Sequence, residues 1–165
     1  MKNREGKVLI AAPVHEALTG ALTAAGYTCV MQENITQELA FRLIGDCAGV
    51  ITSTRLQLDK ALLDAAHELK WIGRMGSGME VVDLAYAAEK GIACYGSPEG
   101  NCNAVGEHTL GMLLGLIRHI VWSQAEIKDG VWKREENRGT ELEGKTIGII
   151  GFGHTGRAFE KVTWF

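Results

Sequence analysis

The sequence lacks an excess of charge of either sign. Its 165 residues include 17 Lys and Arg against 20 Asp and Glu, which leaves a formal net charge of −3, and no segment is rich in Lys or Arg. Proteins that bind nucleic acid concentrate positive charge on one face in order to neutralise phosphates. We therefore expect no nucleic-acid partner.

Long hydrophobic runs are missing as well. The longest apolar run without a charged residue, 109–117, has about half of the ~20 residues that a membrane-spanning helix needs. Residues 1–5 are polar or charged after the initial methionine and lead into no signal-peptide core. The sequence therefore predicts no membrane partner and a cytoplasmic location.

Cysteine pairs with the spacing of a metal site are also absent. None of the intervals between Cys29, Cys47, Cys94 and Cys102 gives the C-x-x-C pattern. Scattered cysteines are typical of reduced thiols, whereas a disulfide framework or a zinc site needs closer and more regular spacing. The sequence predicts free thiols and no metal site.

Short apolar runs alternate with helical segments over residues 1–100. Several helical segments end at one of the 21 glycines, as they do at Gly26, Gly45 and Gly91. Strands separated by helices in this rhythm form a parallel sheet with helices on both faces. The fold class is therefore predicted to be α/β, with a flavodoxin-like parallel sheet. The predicted strands are 7–12, 27–31, 49–53, 70–75 and 92–95, and the predicted helices are 15–25, 36–44, 59–69 and 81–90.

A helix of different character is predicted at 103–128. Its middle, 110–117, is apolar on nearly every face, which the exposed helix of a small domain cannot be, so the pattern requires a packing partner. Gly111 and Gly115 form a G-x-x-x-G pattern that lets another backbone approach closely. Tight core packing is the preferred interpretation. A homodimer or higher oligomer formed through this helix stays open.

A glycine-rich turn follows a predicted strand near the end of the sequence. Residues 144–150 have the β-branched character of a buried strand, and a helix-forming segment, 157–161, follows Gly-Phe-Gly-His-Thr-Gly at 151–156. In this context Gly151 permits the tight turn, Gly153 lets backbone N–H groups approach a pyrophosphate, and Gly156 lets the helix pack on the strand. The pattern indicates a dinucleotide site, with a purely structural glycine turn as the alternative.

The organisation predicted from these segments has four parts. They are a flavodoxin-like domain at 1–100, an interdomain helix at 101–130, a charged connector at 131–143 and the first βα unit of a Rossmann domain at 144–165. A Rossmann domain also needs an acidic residue ~20 residues further on to bind the ribose. One strand and one helix cannot form such a domain. We therefore expect a shortened sequence.

Several segments together resemble a known family. Residues 74–84, 96–101, 106–109, 128–132 and 139–156 are similar, in unbroken order, to signatures of the NAD-dependent D-isomer-specific 2-hydroxyacid dehydrogenases. The resemblance implies an oxidoreductase with NAD as cofactor and a small 2-hydroxy or 2-keto acid as substrate. It also implies that the catalytic arginine, histidine and glutamate of the family lie beyond Phe165, so no catalytic residue is assigned.

The resemblance assigns binding roles near the ends of two predicted strands. Gly76, Ser77 and Gly78 match the loop whose backbone amides hold the substrate carboxylate, and the Ser77 side chain occupies a position that contacts the cofactor. A plain strand-to-helix turn is the alternative for this loop. His154 and Thr155 match residues whose amides meet the cofactor pyrophosphate, together with Gly151, Gly153 and Gly156. The alternative for His154 is a solvent-facing loop residue.

The sequence departs from the family pattern at several places. Glu80 and Val81 stand where the family usually has Asp-Asn, and Gly96 stands where it usually has Asn, so the hydrogen bonds around the substrate loop are expected to differ from the family pattern. Ser53 replaces a common arginine. Arg55 matches a second basic position and is a candidate ligand for a substrate phosphate, with a solvated surface arginine as the alternative.

Two functions follow as hypotheses. The first is the N-terminal part of a 2-hydroxyacid dehydrogenase that is inactive alone and binds NAD only weakly. The alternative is a non-enzymatic, oligomeric, flavodoxin-like binding module assembled through the helix at 103–128.

Overall fold

The structure is a computed structural model that describes residues 6–163. The chain divides into two compact units, one ending at Pro98 and the other beginning at Glu99. No helix among the described residues is long and apolar enough to span a lipid bilayer.

The first unit contains a parallel sheet of five strands in the order β2-β1-β3-β4-β5. This order confirms the predicted flavodoxin-like α/β fold, because β2 lies on one side of β1 and the next three strands are added in turn on its other side. Each observed strand begins within two residues of its predicted start. The strands are β1 (Gly6–Ile10), β2 (Tyr27–Met31), β3 (Cys47–Thr52), β4 (Trp71–Arg74) and β5 (Ala93–Tyr95).

Four α-helices connect these strands, and polar side chains fix where they begin. The oxygens of Thr36, Asp59 and Asp83 accept hydrogen bonds from backbone N–H groups in the first turns of α2, α3 and α4. Such caps satisfy N–H groups that have no partner inside the helix. A short 3-10 helix, Ile44–Asp46, follows α2. The helices are α1 (Glu16–Ala24), α2 (Gln37–Leu43), α3 (Lys60–Ala65) and α4 (Leu84–Glu89).

The core lies on both faces of this sheet. Leu9, Val50 and Ile72 pack toward α2, α3 and α4, whereas Val8 and Ile10 pack toward α1. All six residues of β3 are buried, as expected for the central strand of a parallel sheet. Burying each Val, Leu or Ile side chain stabilises the fold by about 1.5–3 kcal/mol.

The second unit is helical in the residues described. It contains α5 (Cys102–Ile117), α6 (Ile120–Lys128) and α7 (His154–Thr163). Gly106 of α5 is buried against α7, where a Cβ would lie 2.9 Å from the carbonyl carbon of Ala158. This glycine therefore allows the two helices to approach closely.

The prediction of one helix over 103–128 is wrong. His119 has φ of 56° and ψ of 28°, a left-handed conformation that ends α5 and begins α6. The carbonyl of Ile117, which leaves the helical pattern there, accepts a hydrogen bond from the Thr140 N–H at 2.8 Å. The connector thus supplies the partner that makes the break favourable.

The packing predicted at Gly111 and Gly115 is not found among the described residues. A Cβ added at either glycine would meet no atom of the described chain within 4 Å. The small residue of this helix that the chain itself uses for close packing is Gly106. The tight-core interpretation of the G-x-x-x-G pattern is therefore wrong for the described chain.

The strand predicted at 144–150 is also not formed. Residues 145–149 have no assigned secondary structure, and Ile150 is fully exposed. A strand requires a hydrogen-bonded neighbour, and no strand of the second unit lies among the described residues. The β-branched composition favours extended backbone but cannot supply that neighbour.

Candidate functional site

The loops that follow β3, β4 and β5 meet at the carboxyl edge of the sheet. Ligands of open α/β sheets bind in this region because the loops bring backbone and side-chain groups from several strands together. The loop after β4, residues 75–80, contains the Gly76-Ser77-Gly78 sequence predicted to hold a substrate carboxylate.

Hydrogen bonds fix this loop at its beginning, middle and end. The Met75 N–H donates to the Thr52 carbonyl at 2.7 Å, and the Ser97 N–H donates to the Gly76 carbonyl at 2.8 Å. The Val82 N–H donates to the Met79 carbonyl at 2.9 Å. The loop is therefore held by the end of β3, by the segment after β5 and by the turn that precedes α4.

The backbone conformation of the loop favours glycine at Gly76, and side chains lie close to both of its glycines. Gly76 has φ of +137°, and a Cβ there would overlap the Arg74 guanidinium. A Cβ at Gly78 would overlap the Glu80 carboxylate. Within the described chain, the backbone N–H groups of Gly78 and Met79 donate no hydrogen bond. The loop thus presents N–H donors of the kind that an anion can use.

Gly96 lies directly against this loop. A Cβ at Gly96 would lie 3.3 Å from the Gly76 carbonyl oxygen and 3.5 Å from the Met79 sulfur. A larger residue would therefore press on the loop.

Arg74 adds buried positive charge beneath the loop. Its side chain is only 10% exposed, and its Nη2 lies 3.4 Å from Oε1 of Glu80, whose side chain is 66% exposed. Arg74 Nε has no hydrogen-bond partner among the described residues. A buried guanidinium with one exposed partner favours the approach of a second anion.

Thr52 lies beside Arg74 with a second buried polar atom. The two residues are paired across β3 and β4, so their side chains leave the same face of the sheet. Thr52 is fully buried, and its Oγ1 also lacks a partner within the described chain. Sequence reasoning missed both residues, because their importance depends on strand register and burial.

Arg55 lies on the loop after β3. It is exposed, and its Nη1 donates to the Asn34 side-chain oxygen at 2.9 Å. The remaining guanidinium N–H groups have no partner among residues 6–163. The assignment of Arg55 to a substrate phosphate stays a prediction, as does the alternative of a solvated surface arginine.

The glycine-rich turn at 151–156 leads into α7, and its backbone geometry depends on glycine at two positions. Gly151 has φ of +89°, and a Cβ at Gly156 would overlap the Gly151 carbonyl oxygen. The Arg157 N–H donates to the Gly153 carbonyl at 3.0 Å. A Cβ at Gly153 would meet no atom within 4 Å, so the space above it is open.

His154 and Thr155 are the first two residues of α7. The first N–H groups of a helix have no intrahelical partner and favour anions. The His154 side chain is 55% exposed, and its Nδ1 lies 3.7 Å from Oε1 of Glu99. This turn therefore fits a dinucleotide pyrophosphate, and the roles of these residues stay predictions.

An apolar groove lies on α5 and α6. It encloses a volume of about 560 Å³. Among its large side chains, Met112, Leu116 and Val121 are each more than half exposed. We call this surface the apolar groove; it is lined by His108, Gly111, Met112, Gly115, Leu116, Val121 and Trp122.

Comparison with known proteins agrees with this architecture. A sequence model described as "D-isomer specific 2-hydroxyacid dehydrogenase, catalytic domain" matches residues 8–163. The chain belongs to this family, which confirms the expectation drawn from the resemblance.

Individual relatives show which members the chain is similar to. It is 37% identical to the D-3-phosphoglycerate dehydrogenase of Homo sapiens over 151 residues, which cover 92% of this chain and 28% of that protein. It is 30% identical to the hydroxypyruvate reductase of Thermotoga maritima, over 80% of this chain and 43% of that protein. The chain thus spans less than half the length of either protein.

A solved structure is similar in fold. The NAD+-bound 3-phosphoglycerate dehydrogenase of Entamoeba histolytica matches with a TM-score of 0.74 and 25% identity. The match covers 96% of this chain and 50% of that chain.

Proposed function

We propose that this chain supplies two binding elements of an NAD-dependent dehydrogenase that interconverts a small 2-hydroxy acid and the corresponding 2-keto acid. The observation that carries the proposal is the anchored loop at 75–80, which holds unpaired N–H groups next to the buried guanidinium of Arg74. Family membership supports the reaction class.

The loop would act by binding and orienting the substrate carboxylate. Its N–H groups donate to the carboxylate oxygens, and the positive charge of Arg74 stabilises the bound anion. Because the loop is anchored to several segments, a carboxylate held there places the neighbouring C2 carbon in a defined position. When bound, the nicotinamide cofactor supplies the hydride acceptor and donor. The turn at 151–156 would hold its pyrophosphate.

The substrate class has two candidates. A phosphate-bearing hydroxy acid is supported by the similarity to D-3-phosphoglycerate dehydrogenase and by the exposed guanidinium of Arg55. A substrate without phosphate is supported by the similarity to hydroxypyruvate reductase. We propose the phosphate-bearing acid, because Arg55 stands on the same sheet edge as the loop.

NMR titration of the 15N-labelled chain tests this proposal. We expect 3-phosphoglycerate to shift the amide signals of residues 76–79 and Arg55→Gln to weaken that binding. Asp64→Asn, a change of one exposed charge on α3, is the matched control and should leave the titration unchanged. Shifts confined to other regions would refute the carboxylate role of the loop.

NADH titration tests the turn at 151–156. We expect shifts at these residues without saturation at micromolar concentrations, because a pyrophosphate turn supplies only part of a dinucleotide site. We also expect no substrate turnover by the chain alone, since no described residue is assigned as proton donor or acceptor. Micromolar saturation or measurable turnover would contradict these expectations.

The second candidate function is a non-enzymatic binding module that associates through the apolar groove. The observation in its favour is that the side chains of Met112, Leu116 and Val121 are exposed to solvent in a monomer. We propose that a second copy of the chain covers this groove, giving a homodimer or higher oligomer in either function.

Light scattering with size-exclusion chromatography tests the association. We expect at least twice the chain mass of 17.9 kDa for the wild type. Val121→Gln should return the mass to that of a monomer. Leu84→Gln changes an exposed residue of the first unit and is the control. A wild-type monomer would exclude this contact.

We also propose that the protein works in the cytoplasm. The support is that Cys29, Cys47, Cys94 and Cys102 are free thiols, a state that reducing compartments maintain. Detection of the native protein in an oxidising compartment after cell fractionation would contradict this proposal.

A further inference from the structure

The ion pair between Arg74 and Glu80 spans the base of the loop at 75–80. Arg74 is the last residue of β4, and Glu80 directly precedes a segment fixed by other contacts. The Leu58 N–H donates to the Val81 carbonyl at 2.8 Å, and the Asp83 N–H donates to the Leu58 carbonyl at 3.0 Å. The pair therefore joins two anchored ends across a glycine-containing loop.

The two glycines make room for this pair. A side chain at position 76 would displace the Arg74 guanidinium, and a side chain at position 78 would displace the Glu80 carboxylate. Val81, which stands where the family usually has asparagine, is buried and contributes an apolar anchor. The glutamate and the valine thus form one local arrangement that differs from the family pattern.

We propose that Glu80 is a positioning residue that, through its ion pair with Arg74, holds the loop amides in place for a carboxylate ligand. This inference rests on the proposed function of the loop. Glu80 carries a negative charge and cannot bind an anionic substrate directly, so any benefit that it gives to anion binding must come through Arg74 and the loop. The two residues act as a clamp, the Arg74–Glu80 clamp.

Replacement of Glu80 by glutamine separates positioning from simple electrostatics. Removing a negative charge near an anion site strengthens anion binding if Coulomb forces alone matter. Loss of the clamp should instead weaken anion binding, because the loop becomes less ordered. With D-lactate as the probe, we expect Glu80→Gln to weaken binding about two- to fivefold, which corresponds to an exposed ion pair.

Loop order without ligand is the second measurement. In the 15N-labelled chain, we expect Glu80→Gln and Arg74→Gln to lower the heteronuclear NOE of Ser77 and Gly78. The double variant should lose no more order than Arg74→Gln alone, because both changes remove the same contact. Asp64→Asn, which breaks the ion pair of Asp64 with Lys90 on another part of this unit, should leave the loop unchanged.

The outcomes separate this inference from the proposed function. Wild-type NOE values in Glu80→Gln, or tighter D-lactate binding by that variant, would overturn the clamp. If D-lactate leaves the wild-type loop signals unchanged while Glu80→Gln lowers the NOE, the clamp stands and the carboxylate role of the loop fails. Because Glu80 is largely exposed, Glu80→Gln should fold even if Arg74→Gln does not.

Discussion

The two units use similar apolar residues with different results. In the first unit, Val8, Ile10 and Val50 are fully buried because each strand has neighbours and a covering helix. In the second unit, Ile150 and Leu116 are largely exposed among the described residues. A β-branched or aliphatic run therefore specifies a preference for burial, and only the partners in the structure decide whether it is buried.

Matched leucine truncations should give the largest difference in stability between the two units. Leu62 on α3 is fully buried and Leu116 on α5 is 61% exposed. We expect Leu62→Ala to lower the free energy of unfolding of the first unit by about 2–5 kcal/mol, because it leaves a cavity. In dilute solution, where the chain is a monomer, Leu116→Ala should change the stability of the second unit by less than about 0.5 kcal/mol.

Urea denaturation, followed by the NMR signals of each unit, measures both leucine variants. Equal losses would show that Leu116 is covered in solution. A loss in Leu116→Ala that appears only at high protein concentration would favour association through the apolar groove, because dilution then removes that loss.

Glycine-to-alanine changes at two positions of α5 test, within the second unit, how a packing partner decides the effect of an added side chain. Gly106 touches the backbone of α7, so we expect Gly106→Ala to destabilise the unit by about 1–3 kcal/mol through overpacking. Gly111 has open space within the described chain, and Gly111→Ala should stabilise α5 of the monomer by up to about 1 kcal/mol through helix propensity. Thermal unfolding followed by circular dichroism shows whether each variant is stabilised or destabilised. A loss of stability in Gly111→Ala would indicate a close partner at that glycine.

Much of the first unit could be predicted from sequence because its signals are local. Short apolar runs indicated the five strands, glycines indicated the ends of several helices, and the strand–helix rhythm indicated the flavodoxin-like order of the sheet. Capping residues such as Asp83 explain why α4 begins later than predicted. The break at His119 could not be predicted, since no glycine or proline marks it and its support comes from Thr140.

The parts of the candidate site that contain glycine could be predicted from the sequence. Gly76, Gly78 and Gly151 stand out in sequence, and the structure gives Gly76 and Gly151 positive φ. Thr52 and Arg74 did not stand out, because a threonine and an arginine at strand ends are common. Their unpaired buried atoms follow from the β3–β4 register, which sequence does not state.

The smallest expected effect is a pH dependence that should differ between the units. The pKa of the Asp64 carboxyl in the first unit lies below its usual range, because it accepts hydrogen bonds from Lys90 and Tyr86. The pKa of Glu126 in the second unit is lowered in the same way by Lys133 and Asn137. A lowered folded-state pKa stabilises the fold above the unfolded pKa of about 4, and this contribution is lost as pH falls through the folded pKa.

Each carboxylate should therefore affect only its own unit. Near neutral pH we expect Asp64→Asn to lower slightly the melting temperature of the first unit, and Glu126→Gln that of the second. The differences stay small because both ion pairs are exposed to solvent. In melting curves recorded between about pH 7 and pH 3, each difference should disappear at the acid end, where the wild-type carboxylate is protonated as well. A difference that stays constant with pH would show that the variant changes packing and not charge.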